Sequence, residues 1–160
     1  MKIKSTSYDP IDDDDGWWVS QVSDSDCTPI EKKALALQEA ALSKGFYCIC
    51  SNYEDGEYHM FLVPANGVRY VIEKFGVGSH AGSEPASVYE EIAAADAKNP
   101  MVPFFADEAG LKARFSKPVT KALLAILEDS LYSVEAMMDD GYKSVDDYIQ
   151  KNQGVHLWWD

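Results

Sequence analysis

The chain has 160 residues, 46% hydrophobic and 12% aromatic, and its 14 Lys and Arg against 27 Asp and Glu leave a net charge of −13. Such a length is enough for one folded unit with its own core, and such an apolar content argues against an intrinsically disordered chain. The acidic field repels nucleic acid phosphates and anionic membranes and attracts basic surfaces, and no apolar run approaches the ~18 residues of a membrane span.

Residues 1–16 are polar and close on the run Asp12-Asp13-Asp14-Asp15-Gly16. Lys2 and Lys4 precede no apolar stretch, so no secretory signal is read there and the expected location is the cytoplasm. Trp17-Trp18-Val19 and Gln21-Val22 suggest a short strand. Thr28-Pro29-Ile30-Glu31 reads as a helix start, with Thr28 as cap, Pro29 in the first helical position and Glu31 completing a capping box. The helix is expected to reach Lys44, bury Ile30, Ala34, Leu37 and Ala41, and stop at Gly45.

Strands are expected at 46–51, 57–63 and 68–75, joined by turns at Asn52–Gly56 and Pro64–Gly67, to give an antiparallel meander. Gly76 to Glu84 reads as a glycine-rich loop, and a helix follows from Pro85 to a stop at Asn99-Pro100. Residues 100–116, with Pro103, Phe104, Phe105 and Gly110, read as a packed loop. Ser116-Lys117-Pro118 opens the longest helix, whose stripe is Val119, Leu123, Ile126, Leu127, Leu131, Val134 and Met138, with Gly141 as its stop. Ser144 caps a short last helix to Lys151, before the tail His156-Leu157-Trp158-Trp159-Asp160. The order β-α-β-β-β-α-α-α predicts a single α+β domain over residues 1–160, loosely ordered at 1–16. Its expected form is a three- to four-stranded antiparallel meander with helices packed on one face.

Cys27, Cys48 and Cys50 cannot all pair. Cys48 and Cys50 share one face of a strand and read as small apolar core residues in a reducing compartment.

Catalytic and ligand motifs fail on spacing. Gly76-Val77-Gly78-Ser79-His80-Ala81-Gly82 sits between expected strand and helix, as a phosphate cradle would. It is one residue too long for the dinucleotide fingerprint and lacks the Gly-Lys-Ser/Thr ending of a P-loop. Ser79 does not stand in a nucleophile elbow, and no carboxylate stands in a defined relation to His59, His80 or His156. An EF-hand with Gly16 as its glycine would put Ile11 and Val22 at ligand positions, and no Cys/His pattern suits zinc. No basic stripe suits direct nucleic acid binding. The expectation is a non-enzyme with no cofactor and no metal.

The acid is unevenly placed. Residues 1–28 carry −5, residues 128–160 carry −6, and residues 29–127 only −2; the two ends also hold all four tryptophans. Asp24, Asp26, Asp146 and Asp147 sit near expected helix N-termini, where the dipole favours them. Asp139 and Asp140 fall at the far end of the long helix, where the dipole disfavours them by about 0.3–1 kcal/mol each. Glu128, Glu135 and Asp139 line one side of that helix. Local rules broken without compensation point to a working surface. The candidate partner-binding residues are therefore Asp12, Asp13, Asp14, Asp15, Trp17, Glu128, Glu135, Asp139, Asp140 and Trp158.

That pattern suits a protein that occupies the basic, nucleic-acid-handling surface of another protein. The physical type is a DNA mimic, as in phage or plasmid anti-restriction and anti-CRISPR inhibitors or immunity proteins against nuclease toxins. Two other expectations stand beside it: a small enzyme or phosphate-ligand binder using Gly76–Gly82, and a structural subunit of a larger complex.

Overall fold

The computed structural model describes residues 18–52, 56–130, 142 and 144–159. Among them are six strands and five α-helices, an α+β protein. The chain divides into two compact units, Met1–Ala65 and Asn66–Asp160.

The first unit comprises β1 (Trp18–Asp24), α1 (Cys27–Leu42), β2 (Phe46–Asn52) and β3 (Tyr58–Pro64). Strand β3 pairs antiparallel with both β1 and β2, in register Phe46↔Pro64 through Asn52↔Tyr58 on one side and Trp18↔Leu62 on the other. Helix α1 packs on β2 and β3, burying Ile30, Ala34 and Gln38 at i, i+4 and i+8. The Gln38 Oε1 accepts the Cys48 amide at 2.8 Å, which satisfies a buried backbone donor inside that contact. Residues 47–51 are buried without alternation, as in a strand covered on both faces and not on one.

The second unit comprises α2 (Val68–Phe75), α3 (Pro85–Lys98), β4 (Met101–Ala106), β5 (Gly110–Phe115), α4 (Lys121–Ser130), α5 (Val145–Asn152) and β6 (Gly154–Trp158). Strand β5 pairs antiparallel with β4 and β6, while α3 packs against α2 and α4. The buried Asn99 after α3 is anchored at both ends of its amide: its Nδ2 donates to the Lys117 carbonyl at 2.8 Å, and its Oδ1 accepts the Lys117 amide at 3.0 Å.

Four sequence expectations change. Residues 68–75 form a helix and not a strand, because Val68, Val71, Ile72 and Phe75 repeat at helical spacing with the first three fully buried, and Arg69 pairs with Glu73 one turn on at 2.7 Å. Residues 101–115 form a hairpin and not a loop. Pro103 is accommodated by an irregularity in register between Pro103 and Phe105, and β5 alternates buried Leu111, Ala113 and Phe115 with Lys112 and Arg114. The tail forms β6. The order is thus β-α-β-β-α-α-β-β-α-α-β, with more strands than the expected meander. Of the long expected helix, Lys121–Ser130 is helical, and the segment 131–141 lies outside the described residues.

The cap of α1 also moves. Asp26 takes the N-cap position and accepts the Thr28 amide at 2.9 Å, so the helix begins one residue ahead of Thr28. That bond holds the Asp26 carboxyl below its ordinary range. A depressed folded-state value means stability that is present above the unfolded carboxyl range and lost as pH falls through the folded one. Asp26→Ala is therefore expected to lower the urea midpoint at neutral pH, with the difference from the parent narrowing in acid. Asp26→Asn, which keeps the acceptor, is expected to retain most of the midpoint. Equal midpoints for Asp26→Ala and the parent at neutral pH would contradict this cap.

Candidate functional site

Gly76–Gly82 is a tightly hydrogen-bonded connection. Gly76 ends α2 in the left-handed region, and its amide donates to the Ile72 carbonyl. Gly78 and His80 both donate to the Glu108 carbonyl, at 2.9 and 3.2 Å, while Ser79, Ala81, Gly82 and Ser83 donate to carbonyls of Gly76, Gly78 and Ser79. Every amide from 76 to 83 is engaged by backbone. An anion cradle needs several such N–H groups directed at one ligand, and these are directed elsewhere. Gly78 is required as glycine, at φ 87 and with a Cβ that would meet the Val88 Cγ2 at 2.5 Å. His80 and Ser79 are exposed.

The partner of this loop is the tip of the β4–β5 hairpin. The Asp107 carboxylate accepts the amides of Ala109 at 3.0 Å and Gly110 at 2.8 Å. The Ala109 carbonyl accepts the Trp159 amide at 2.9 Å. Burial raises the Asp107 carboxyl above its ordinary range despite those two donors.

The C-terminal tryptophans divide. Trp158 is 37% exposed, its ring lying over Gly110, whose Cβ would stand 2.9 Å from Trp158 Cε3. Trp159 is half-buried, and its indole Nε1 donates to Glu91 Oε2 at 3.2 Å. His156 and Trp158 alternate with buried Val155 and Leu157, and directly opposite them on β5 stand Lys112 and Gly110. Arg114 continues the same face. Sequence reasoning missed this cationic and aromatic face because 100–116 reads as a loop, although the alternation from Leu111 to Phe115 was available as a signal.

Of the expected partner-binding residues, Asp12, Asp13, Asp14, Asp15, Trp17, Glu135, Asp139 and Asp140 lie outside the described residues. Glu128 falls on α4, and Trp158 on the exposed face of β6. The acids expected to serve helix termini do so at Asp26, the cap of α1, and at Asp146 and Asp147 in the first turn of α5 behind the Ser144 cap. Asp24 accepts the Asp26 amide at 3.0 Å. Several cations are held close to the body: Arg69 by Glu73 and over the Tyr89 ring, Lys151 by Asp147 at 2.9 Å and over the Tyr142 ring, and Lys74 over the Tyr70 ring.

Among the described residues no group of three His, Cys, Asp or Glu side chains could hold a metal, and no helix is long and apolar enough to cross a membrane. No protein-family model matches the chain, no curated protein sequence matches it, and no solved structure matches it.

Asp107→Asn keeps an acceptor for both amides without the buried charge, and it is expected to match or exceed the parent in urea midpoint at neutral pH. A raised folded-state value means the ionised form is penalised by the fold, so any gain shrinks as pH falls through the Asp107 range. Asp107→Ala leaves two turn amides without their acceptor and is expected to cost about 1–3 kcal/mol. An Asn variant markedly less stable than the parent at neutral pH would contradict this reading of the turn.

Proposed function

We propose that this protein binds another protein, presenting carboxylates to a basic surface that otherwise handles nucleic acid and so inhibiting it. The observation that carries the reading is the placement of charge: the two ends, residues 1–28 and 128–160, hold −5 and −6 of the total −13, while the stretch between them is nearly balanced. Carboxylates at helical spacing stand about 5–6 Å apart, a sparse imitation of the charge along duplex DNA.

Two features of the fold support protein binding over small-ligand chemistry. The amides of the glycine loop already have backbone acceptors, whereas a phosphate cradle directs such amides at its ligand. Trp158 offers an exposed aromatic surface within the acidic C-terminal stretch, and partly exposed tryptophan is a favoured anchor in interfaces. The residues proposed to meet the partner are Asp12 to Asp15 and Trp17 near the start of the sequence, and Glu128, Glu135, Asp139, Asp140 and Trp158 towards its end. The partner class spans restriction enzymes, CRISPR effectors and nuclease toxins, the systems that phage or plasmid inhibitors and immunity proteins oppose.

Affinity chromatography from the native host with the whole chain as bait is expected to retain a nucleic-acid-handling protein. Its affinity should fall at least roughly tenfold between about 50 and 500 mM salt, mainly through a slower association rate. Replacing Asp12 to Asp15 with Asn, and Glu135, Asp139 and Asp140 with Gln or Asn, should weaken binding without altering the unfolding free energy by more than about 1 kcal/mol. Undiminished binding and inhibition with both sets neutralised would sink the proposal.

A further inference from the structure

Cys27 opens α1 and is half-buried, while Cys50 is fully buried in β2. The Cys50 thiol lies 3.8 Å from the Cys27 carbonyl oxygen, to which it donates. Cys27 stands three residues before Ile30 and seven before Ala34, on the stripe of α1 that meets the sheet. Both residues belong to the first compact unit. The third cysteine is poorly placed to compete. Cys48 is two residues from Cys50 along an extended strand, about 6.5–7 Å between Cα atoms, at the upper limit for a disulfide. Burial also pushes its thiol up to about 11.

We propose that Cys27 and Cys50 form a reversible redox pair that fastens the start of α1 to β2 when the protein meets a hydroperoxide. Cys27 is the attacked residue. It is the more exposed of the two and stands in the first turn of α1. The Cys27 thiolate attacks the distal peroxide oxygen, the O–O bond breaks, and the departing alkoxide or hydroxide takes up a proton, leaving Cys27 as sulfenic acid. The Cys50 thiol then loses its proton as its sulfur attacks the Cys27 sulfur, and the sulfenic oxygen leaves as water. Each turnover converts two thiols and one hydroperoxide into one disulfide, one water and one alcohol (a second water from hydrogen peroxide). A dithiol reductant reverses it by exchange.

The step is tested on the whole reduced chain treated with equimolar hydrogen peroxide, then alkylated and peptide-mapped. The expected product is an intramolecular Cys27–Cys50 cross-link that lowers the intact mass by two hydrogens and is reversed by dithiothreitol. Closing a loop of this length should raise the thermal midpoint by on the order of 5–10 °C. Cys27→Ser, a change at a half-buried position, should abolish both the cross-link and the shift, while Cys48→Ala should leave the cross-link intact. Oxidation that leaves Cys50 open to alkylation in the unfolded, oxidised sample overturns the proposal. So does a cross-link that survives Cys27→Ser.

Discussion

The tip of the β4–β5 hairpin takes up backbone donors from two distant stretches of the second unit, and the arrangement of that unit depends on it. The Glu108 carbonyl collects Gly78 and His80 from the glycine loop, the Ala109 carbonyl collects Trp159 from the tail, and the Asp107 carboxylate shapes the turn that presents both. Each bond contributes about 0.5–1.5 kcal/mol net, but a buried amide left without an acceptor costs more, so the three segments hold one another in place. Gly78 is a tight point of the loop, since a side chain there would run into Val88. The amides of that loop, from Gly76 to Ser83, are committed to backbone acceptors.

With that loop committed, what distinguishes the chain is its surface charge. Acids with structural work are identifiable: Asp26 caps α1, Asp24 supports that cap, Asp107 closes a turn, and Asp146 and Asp147 favour the start of α5. They account for part of the charge at both ends. The run Asp12 to Asp15 and the acids at Glu128, Glu135, Asp139 and Asp140 have no such sequence-level excuse, and on them the proposed interaction rests. Of the two C-terminal tryptophans, Trp158 is exposed, while Trp159 is tied to Glu91.

Much of the fold was legible in local signals. The first helix, the β2–β3 hairpin, α3 and the Ser144 cap of α5 follow from apolar spacing, Asp-Gly chemistry and capping residues. Where the reading failed, two signals competed. Asn66-Gly67 suggested a hairpin turn and outweighed the helical period of Val68, Val71 and Ile72, yet Gly67 serves as the N-cap of α2. Pro103 suppressed a strand that tolerates it through an irregular register, and so hid the cationic and aromatic face shared by β5 and β6. Thr28 and Asp26 are both good caps, and only the geometry of the turn decides between them. The candidate surface was legible as composition and not as shape: charge per segment is written in the sequence, but the distance between two acidic ends is a property of the folded chain.

The central claim is that this protein and nucleic acid occupy the same surface of the partner. It is tested most directly by displacement, titrating the purified complex with a duplex or single strand that the partner is known to bind and following release by fluorescence anisotropy. Mutual exclusion is predicted, with the apparent affinity of the protein falling in proportion to added nucleic acid and the competition preserved across salt concentrations. A stable ternary complex of protein, partner and nucleic acid would contradict it.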